Sequence, residues 1–405
     1  YIKEAHLAGL PEEDIIINLI NADWDAGDVD RAISEVLYPE KSGQRYIQET
    51  KKSGGKSHTP YLIAVLLVGM LLVGSVAFSS RLFVSYLDGY YSTNNMANVQ
   101  GALLEQKKQS LAKNKESKLL FVGDIMLSSS RGTGKQIKEN NDFKYPFLNI
   151  SETLSSADLT FGNLEGPISS RGKDLGGKYS FRADPRVVDG LKFAGFDLLS
   201  IANNHIFDWG REAFEDTISN LKISGIDFVG GGMDYSQANK PVIKDINGTK
   251  VAFLAYSTVS YDANSFNAKG EVSGKSLFNK DVVVKMIKQI KEWDVADIVA
   301  VSFHWGEEYQ TRSYEEQQDI SYALIEAGVD LIIGHHPHVV QEVEKYKNGW
   351  IAYSLGNFIF DQSFSEDTMR GLMLDVRIRN NAIVSVNPID IIISDTFQPS
   401  VAKSQ

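Results

Sequence analysis

The chain has 405 residues, of which 43% are hydrophobic and 10% aromatic, so it has enough apolar residues for at least one sizeable core and is not a disordered protein. Its formal net charge is −11, from 52 acidic and 41 basic residues, which disfavours nucleic acid as the main partner because the protein has no overall basic surface. It contains no cysteine, so disulfides, catalytic thiols and thiolate metal sites are excluded, and any metal must be bound by histidine, carboxylate or amide groups.

The first segment, residues 1–40, is predicted to form a small helical module. Pro11, followed by acidic residues, begins one short helix, and Asp28 begins a second. The pattern resembles a helical bundle of the ubiquitin-associated type, which implies a protein-binding module. A cytoplasmic helical cap without a separate role is the alternative.

Residues 61–80 are predicted to form one transmembrane helix, which follows a polar, basic linker over 41–60. The run from Tyr61 to Phe78 carries no charge and is about long enough to cross the hydrocarbon core of a bilayer. Several basic residues precede this run, whereas Arg81 is the only one close behind it. The positive-inside rule therefore predicts a single-pass protein of the cell membrane, with a cytoplasmic N-terminus and an extracytoplasmic C-terminal domain.

After a predicted stalk over 81–117, residues 118–395 are predicted to form one α/β domain, followed by a tail over 396–405. Short apolar runs alternate there with amphipathic stretches, which is typical of layered α/β folds. A closing β-hairpin is expected around the adjacent Asn380 and Asn381. Helices are expected at Arg211–Ser224, Asp281–Trp293 and Tyr314–Ala327.

Five of the apolar runs end in a polar cluster. In an open α/β sheet the ligand crevice lies at the carboxyl ends of the strands, so residues that are distant in sequence can meet there. The pattern therefore predicts one site built from five loops. Its residues are Asp124; Asn163 and Glu165; Asn203, Asn204, His205 and Asp208; His304; and His335, His336 and His338.

Each cluster also has a simpler structural explanation. Asp124 could belong to a turn or begin a helix, and "NLEG" could be a turn. His205 could bond to the backbone of an Asn-rich turn, His304 could be a buried histidine with satisfied hydrogen bonds, and Asn357 could occupy a left-handed turn position. The stretch "GHHPH" points most directly to metal, because Pro337 fixes the local backbone and a His-x-His pair can offer two imidazoles to one ion.

Together, the clusters predict metal-dependent hydrolytic chemistry. Carboxylate, amide and imidazole groups suit divalent Mn, Zn or Fe, and two bridged ions can polarise an oxyanion and generate hydroxide. His205, with Asp208 three residues later, could act as an acid or base oriented by a carboxylate. A serine triad using Ser128 to Ser130 is the competing enzymatic hypothesis, but no G-x-S-x-G elbow is present. A phosphate loop at Gly230 to Gly232 is disfavoured because no G-K-[ST] follows it.

The motifs "FVGDIML", "GNLEGPI", "SIANNHIFDWG", "VSFHWGEEY", "GHHPHVVQ" and "YSLGNFIFD" occur in this order along the chain. The set closely resembles the capsule biosynthesis protein CapA family, the poly-gamma-glutamate capsule proteins within the wider calcineurin-like metallophosphoesterase group. The resemblance covers residues 118–394. It implies a four-layered αββα sandwich with a dinuclear metal site at the strand ends.

The same resemblance implies roles for individual residues. In the second motif either Asn163 or Glu165 takes the place of the usual bridging aspartate, and His205 contacts the developing charge of the substrate. The implied metal ligands are Asp124, Glu165, Asn204, His304, His336 and His338. Substrate binding or support of the ligands is assigned to Asn163, Asn203, Glu307, His335 and Asn357.

Two departures from the family pattern bear on the number of ions. Met126 stands where the first motif usually has a histidine, and Asn163 stands where the second motif usually has an aspartate. A missing ligand would weaken one of two metal positions. We therefore expect one or two divalent ions per chain.

Two functional hypotheses follow. The first is a membrane-anchored, extracytoplasmic metal-dependent hydrolase or transferase that attacks a phosphoester or an amide in a surface polymer or its precursor; the family implies poly-gamma-glutamate. The second is a non-catalytic module that uses the same crevice to bind an anionic polymer or a partner subunit of a membrane biosynthetic complex. Metal content discriminates between them.

Overall fold

The computed structural model describes residues 115–128, 132–259 and 266–403, together with Ala32. The predictions made for the helical module apart from Ala32, for the linker, for the membrane helix and for nearly all of the stalk lie outside the described residues. Among the helices in the described ranges, none combines the length and the apolar content that a membrane crossing requires.

The strands form two main sheets and one separate pair. They are β1 (Ser117–Ile125), β2 (Leu159–Leu164), β3 (Leu198–Ser200), β4 (Asp227–Val229), β5 (Gly231–Gly232), β6 (Val242–Ile246), β7 (Thr249–Ser257), β8 (Gly274–Lys275), β9 (Ile298–His304), β10 (Leu331–His335), β11 (Val343–Tyr346), β12 (Gly349–Ala352), β13 (Asn357–Ile359), β14 (Arg370–Arg379), β15 (Ala382–Ile393) and β16 (Pro399–Val401). The first sheet has the order β16-β15-β14-β1-β2-β3-β4, with β13 also paired to β1. The second has the order β11-β12-β10-β9-β7-β6, and β5 pairs with β8.

The helices are α1 (Thr133–Asn140), α2 (Ser151–Ser155), α3 (Val187–Ala194), α4 (Gly210–Ser224), α5 (Tyr235–Asn239), α6 (Lys280–Glu292) and α7 (Glu315–Ala327), with short 3-10 turns at Tyr145–Phe147 and Asp367–Met369. The three helices expected from the sequence are α4, α6 and α7, and each is confirmed to within one residue at either end. Their apolar residues recur at the helical period, so one face of each packs against a sheet.

The core has three parts that separate four layers. Between the two sheets, the ring of Phe161 lies 5.7 Å from that of Phe121 and 6.0 Å from that of Phe253. The outer face of the first sheet packs on helices α1 to α4, and the outer face of the second packs on α6 and α7. Each fully buried phenylalanine contributes about 1.5–3 kcal/mol. The described residues therefore form helix, sheet, sheet and helix layers, a mixed α/β fold.

The end of the domain differs in part from the sequence-based expectation. The expected hairpin is present as β14 and β15, with Asn380 at φ 51° and Asn381 at φ 64°, the left-handed conformation of a two-residue turn. The tail expected from residue 396, however, contributes β16, which pairs with β15 in an antiparallel arrangement. The domain therefore extends beyond residue 395. The expectation missed this because a three-residue edge strand carries too little periodicity to be recognised.

The central strands are parallel and bring their carboxyl ends to one edge of each sheet. β1 to β4 are parallel neighbours, as are β7, β9, β10 and β12. β2, β9 and β10 are buried along their whole length, which explains their nearly continuous apolar sequences. The polar residues that follow these runs are thereby placed next to one another.

Candidate metal centre

Asp124 lies near the carboxyl end of β1 and has no exposed surface. Its backbone N–H donates to the carbonyl oxygen of Gly356 at 3.0 Å, beside an irregularity in the pairing of β1 with β13. A Cβ atom on the preceding Gly123 would lie 2.0 Å from that same carbonyl oxygen, so only glycine permits this approach. The backbone that carries Asp124 is therefore fixed from both sides.

The Asp124 carboxylate contacts several of the predicted site residues. Oδ1 lies 3.2 Å from His335 Nδ1 and accepts from Asn163 Nδ2 at 2.9 Å, while Oδ2 lies 3.3 Å from His338 Nδ1. Burial opposes ionisation, but the hydrogen bonds and charges of His335 and His338 outweigh it and hold the pKa of Asp124 well below its usual range. Asp124 is therefore the permanent negative charge of the cluster.

Glu165 is the second buried carboxyl group, and follows β2 directly. Its Oε2 accepts from Asn163 Nδ2 at 3.2 Å, and its Oε1 lies 3.5 Å from His338 Nε2. Burial, and then the charge of Asp124, raise the pKa of Glu165 well above its usual range. Burial opposes protonation of His338, but the nearby Glu165 and Asp124 raise the pKa of His338 to about 9. A cation bound between Asp124 and Glu165, in addition to the positive charge of His338, would relieve the repulsion between these two carboxylates.

His304, at the end of β9, completes the opposite side of the cluster with His336 and Asn204. Its Nε2 donates to Asn204 Oδ1 at 2.6 Å, and its ring lies 4.7 Å from that of His336. Burial, and then the charge of His336, hold the pKa of His304 well below its usual range. Burial, and then the charge of His338, lower the pKa of His336 to about 3. Both imidazoles are therefore neutral, the form that binds metal.

The "GHHPH" stretch has an unusual backbone. His336 has φ 96° and His338 has φ 57°, conformations that non-glycine residues seldom adopt. Pro337 lies between them, and its carbonyl oxygen accepts from Tyr309 N at 2.8 Å. Asn357 Oδ1 accepts from His338 Nδ1 at 3.0 Å, which leaves Nε2 facing Glu165. Strain of this kind persists where the surrounding structure enforces it, and it is common at functional sites.

His205 and Asp208 form a hydrogen-bonded pair at the rim of the cluster. His205 Nδ1 donates to Asp208 Oδ2 at 2.8 Å, so Nε2 points inward and lies 4.0 Å from Glu165 Oε1. The backbone N–H of Phe181 also donates to Asp208 Oδ2, at 2.9 Å. Burial raises the pKa of Asp208, with His205 opposing that shift. Asp208 thus fixes both the orientation and the tautomer of His205.

The predicted site residues converge, with one exception. Asn203 supports the cluster by donating to Asn163 Oδ1 at 3.1 Å and by accepting from His205 N at 3.2 Å. Glu307 does not join it: its side chain is exposed and accepts from the hydroxyl of Tyr314. The adjacent Glu308 lies beside the histidines instead, because Gly306, at φ 80°, turns the chain after β9. The sequence "GEEY" offers both carboxylates and gives no signal that selects between them.

Lys275 is a second residue that the sequence-based interpretation missed. It is buried and lines a cavity of about 470 Å³ next to the cluster, together with Asn204, His205, Asp208 and Glu308. Burial lowers the pKa of Lys275 to about 8, against a partly compensating effect of Asp208. Nothing in the local sequence "VSGKSLF" distinguishes this lysine from a surface one.

The cluster fits a divalent metal ion. Ligand atoms of Asp124, Glu165 and His338 lie within 4.8 Å of one another, and so do those of Glu308, His336 and His338. Several buried polar atoms have no hydrogen-bond partner, which is costly unless a further group pairs with them. Among the described residues of the cluster these atoms are Glu165 Oε1, Asn204 Nδ2, His335 Nε2 and His336 Nδ1. Met126, at the position of the missing motif histidine, is fully buried, and its Sδ accepts from Ser128 N at 3.3 Å.

A mixed α/β fold with buried carboxylates and neutral imidazoles at the carboxyl ends of its parallel strands defines an α/β protein with a candidate divalent-metal centre. Comparison with known proteins identifies the particular group. The chain belongs to the family of bacterial capsule synthesis proteins PGA_cap, whose family model matches residues 118–362. The predicted family is thereby confirmed.

Two named relatives support this membership. The chain is 35% identical over 289 residues to the capsule biosynthesis protein CapA of Bacillus anthracis, covering 69% of this chain and 68% of that one. It is 32% identical over 276 residues to the PGA biosynthesis protein CapA of Bacillus subtilis, covering 67% of this chain and 70% of that one. Among solved structures, TT1561 of Thermus thermophilus overlaps with a TM-score of 0.38 at 12% identity, over 68% of this chain and 99% of that one. An overlap this low carries no argument about function.

Proposed function

We propose that this protein acts in bacterial capsule synthesis as a metal-dependent hydrolase or transferase, on phosphoester or amide bonds of poly-gamma-glutamate or a related surface polymer. The family of the chain and the names of its relatives support the process. The observation that carries the chemistry is the set of buried polar atoms without a hydrogen-bond partner, Glu165 Oε1 and His336 Nδ1 among them, beside an oriented His205 and Asp208 pair. A purely structural cluster would satisfy such atoms internally.

The residues proposed to hold one or two ions of Mn, Zn or Fe are Asp124, Glu165, Asn204, His304, His336 and His338, with Glu308 added from the structure. A divalent ion bound there would polarise the substrate oxygen as a Lewis acid. Asn163, Asn203, His335 and Asn357 orient those ligands through the hydrogen bonds and contacts described above.

His205 is the proposed acid and base. Because Nδ1 donates to Asp208, Nε2 can accept or donate a proton on the side of the cavity. In the hydrolysis of an amide, the departing nitrogen needs one proton, which a histidine at this position would deliver. The cavity beside it provides room for the part of the substrate that carries this leaving group.

A second candidate function is favoured by Met126. With a buried thioether where the motif usually has a histidine, one metal position lacks a ligand. A protein of this family that has lost its chemistry would serve as a non-catalytic subunit that binds an anionic surface polymer, or partner subunits of a capsule-synthesis complex. Under either function we propose attachment by one membrane helix at residues 61–80, with a cytoplasmic N-terminus and an extracytoplasmic domain, and no binding of nucleic acid.

Metal analysis of the full-length protein, purified without chelators, tests the proposal. We expect about one or two divalent ions per chain, and turnover in a screen of phosphomonoesters, phosphodiesters and gamma-glutamyl amides. H338A should lower the metal content and abolish turnover, and it should also lower the melting temperature because His338 is buried against Asp124 and Glu165, whereas H58A, in the predicted linker, should match the wild type. A metal-free protein that retains its function would exclude the enzymatic proposal and leave the binding one.

A further inference from the structure

Lys275 is a buried cation without a counter-ion among the described residues. Only 5% of the residue is exposed, and its Nζ donates to two carbonyl oxygens, that of Asn203 at 3.0 Å and that of Val259 at 3.1 Å. Asp208 influences Lys275 through its charge and not through a hydrogen bond. An ammonium group has three donors, of which the described residues accept two.

Burying such a group is costly. A charged side chain removed from water loses hydration that two neutral carbonyl groups replace only in part. A lysine that merely linked two loops could be replaced by a neutral donor at lower cost. The position therefore suggests that the compensating negative charge arrives with a ligand.

The backbone around Lys275 is held rigidly. Its N–H donates to Phe266 O at 3.0 Å, and its carbonyl oxygen accepts from Ala268 N at 3.0 Å. On its other side, β8 pairs with β5, where Lys275 lies opposite Gly231. A Cβ atom on Gly274 would lie 2.1 Å from Ala268 N, so the segment can close in this way only with glycine at that position. The ammonium group is thus held in place before any ligand binds, which lowers the entropy lost on binding.

The cavity beside Lys275 has the features of a substrate pocket. Its volume is about 470 Å³, and Phe207 and Phe266 contribute apolar wall. His205 and Asn204 line the same cavity, so a ligand anion at Lys275 lies in the same space as the proposed proton donor and one proposed metal ligand. Most of the other lining residues are polar or charged, including the carboxylates of Asp208 and Glu308, and a cavity of this size can hold part of a small-molecule ligand.

We propose that Lys275 is a substrate-binding residue that recognises a carboxylate of the polymer next to the reacting bond. This inference rests on the proposed function, and it specifies which group of the substrate the protein binds. In a gamma-linked glutamate polymer, the carbon attached to each amide nitrogen carries an α-carboxylate. With that carboxylate on Lys275, the amide nitrogen lies on the side of the pocket where His205 is available as its proton donor.

Paired ligands test the proposal on the full-length, metal-loaded protein. One ligand is a trimer of gamma-linked glutamate, and the other is the same trimer with its α-carboxylates converted to α-amides. The wild type should bind the acid at least about tenfold more tightly than the amide, since a charge-assisted hydrogen bond contributes about that factor. K275M should lose this preference, K275R should retain part of it, and K192M, which removes an exposed lysine on α3, should behave as the wild type.

The outcomes separate a binding role from a structural one. Removing Lys275 leaves two carbonyl groups unpaired, so K275M is expected to melt at a lower temperature whether Lys275 binds the substrate or only supports the fold. The ratio of the affinities for the acid and amide trimers therefore decides between the two roles. If K275M weakens the binding of both trimers equally, Lys275 only supports the fold and the inference is wrong. If the wild type binds the acid trimer and K275M keeps the full preference, the inference fails while the proposed function stands. If the metal-loaded wild type binds neither trimer, the inference falls together with the proposed substrate.

Discussion

The backbone N–H of His336 donates to Asp124 Oδ2 at 3.2 Å, joining residues that are 212 positions apart in the chain. Asp124 is the last residue but one of a strand of the first sheet, and His336 directly follows a strand of the second. One carboxylate therefore ties the two sheets together at the edge where the candidate ligands meet. A change at this carboxylate would alter both the metal site and the packing of the sheets against each other.

The pairing of His205 with Asp208 leads to a prediction about proton transfer. In D208N the amide cannot hold His205 in one tautomer, so turnover of the substrate identified by screening should fall by about 10²- to 10⁴-fold. The metal content should stay that of the wild type, because Asp208 does not belong to either group of candidate metal ligands. D216N, which changes a carboxylate paired with Arg171, is the matched control. Loss of metal in D208N would show that Asp208 acts through the metal centre.

The adjacent Glu307 and Glu308 allow a direct comparison. E308Q removes a carboxylate from the group that contains His336 and His338, and should weaken metal binding by at least about tenfold. E307Q changes an exposed side chain bonded to Tyr314 and should leave metal binding as it is. Titration of the metal-depleted variants with Mn or Zn, followed by calorimetry, measures both. If E307Q weakened metal binding and E308Q did not, Glu307 would be the residue that supports the metal site.

Much of the fold could be predicted because its signals are local. Helices α4, α6 and α7 carry an apolar face at the helical period, and two adjacent asparagines mark the turn between β14 and β15. Convergence of the five polar clusters followed from one rule, that parallel strands end at a common edge. These inferences needed no knowledge of which strands are neighbours.

Other features depend on contacts that no local pattern contains. Whether Glu307 or Glu308 faces the histidines is decided by the turn at Gly306, and Lys275 is positioned by the pairing of β8 with the distant β5. The short strand β16 exists because β15 offers it an open edge. The placement of Lys275 and the pairing of β16 are tertiary interactions that the local sequence does not signal, which is why sequence-based reasoning passed over them.

The glycine before Asp124 provides a test of packing at the centre. In G123A the new Cβ would lie 2.0 Å from the backbone oxygen of Gly356, which cannot rotate away. We expect a loss of about 3 kcal/mol or more in the free energy of unfolding, together with lower metal content. G176A is the control: no atom lies within 4 Å of its Cβ, and its positive φ alone should cost about 1–2 kcal/mol. Urea denaturation measures both, and a wild-type midpoint in G123A would contradict the described approach of the two segments.

The pH dependence of ligand binding follows from Lys275. Its pKa of about 8 means that the ammonium group is present below pH 8 and is lost as the pH rises through that value. Binding of the acid trimer should therefore be constant below about pH 8 and weaken above it, by up to about tenfold per pH unit, since the protein must first take up a proton. The amide trimer should show no such decline. Asp208, His205, Lys178 and Glu308 line the same cavity and are the same in the wild type and K275R, so their contributions cancel when the pH profiles of these two proteins are compared.

The lowered pKa of Lys275 also makes the stability of the fold depend on pH. In the unfolded chain Lys275 regains its ordinary pKa of 10.5, so between about pH 8 and pH 10.5 the unfolded state binds more protons than the folded one. The wild type should therefore gain stability over this interval relative to K275M, and lose it again on returning to neutral pH. K275R, whose guanidinium group stays charged, should show neither the fall in acid-trimer affinity nor the gain in stability. Urea denaturation and calorimetry from about pH 7 to about pH 10 measure both effects. Identical pH profiles for the wild type and K275R would mean that Lys275 does not titrate in this interval.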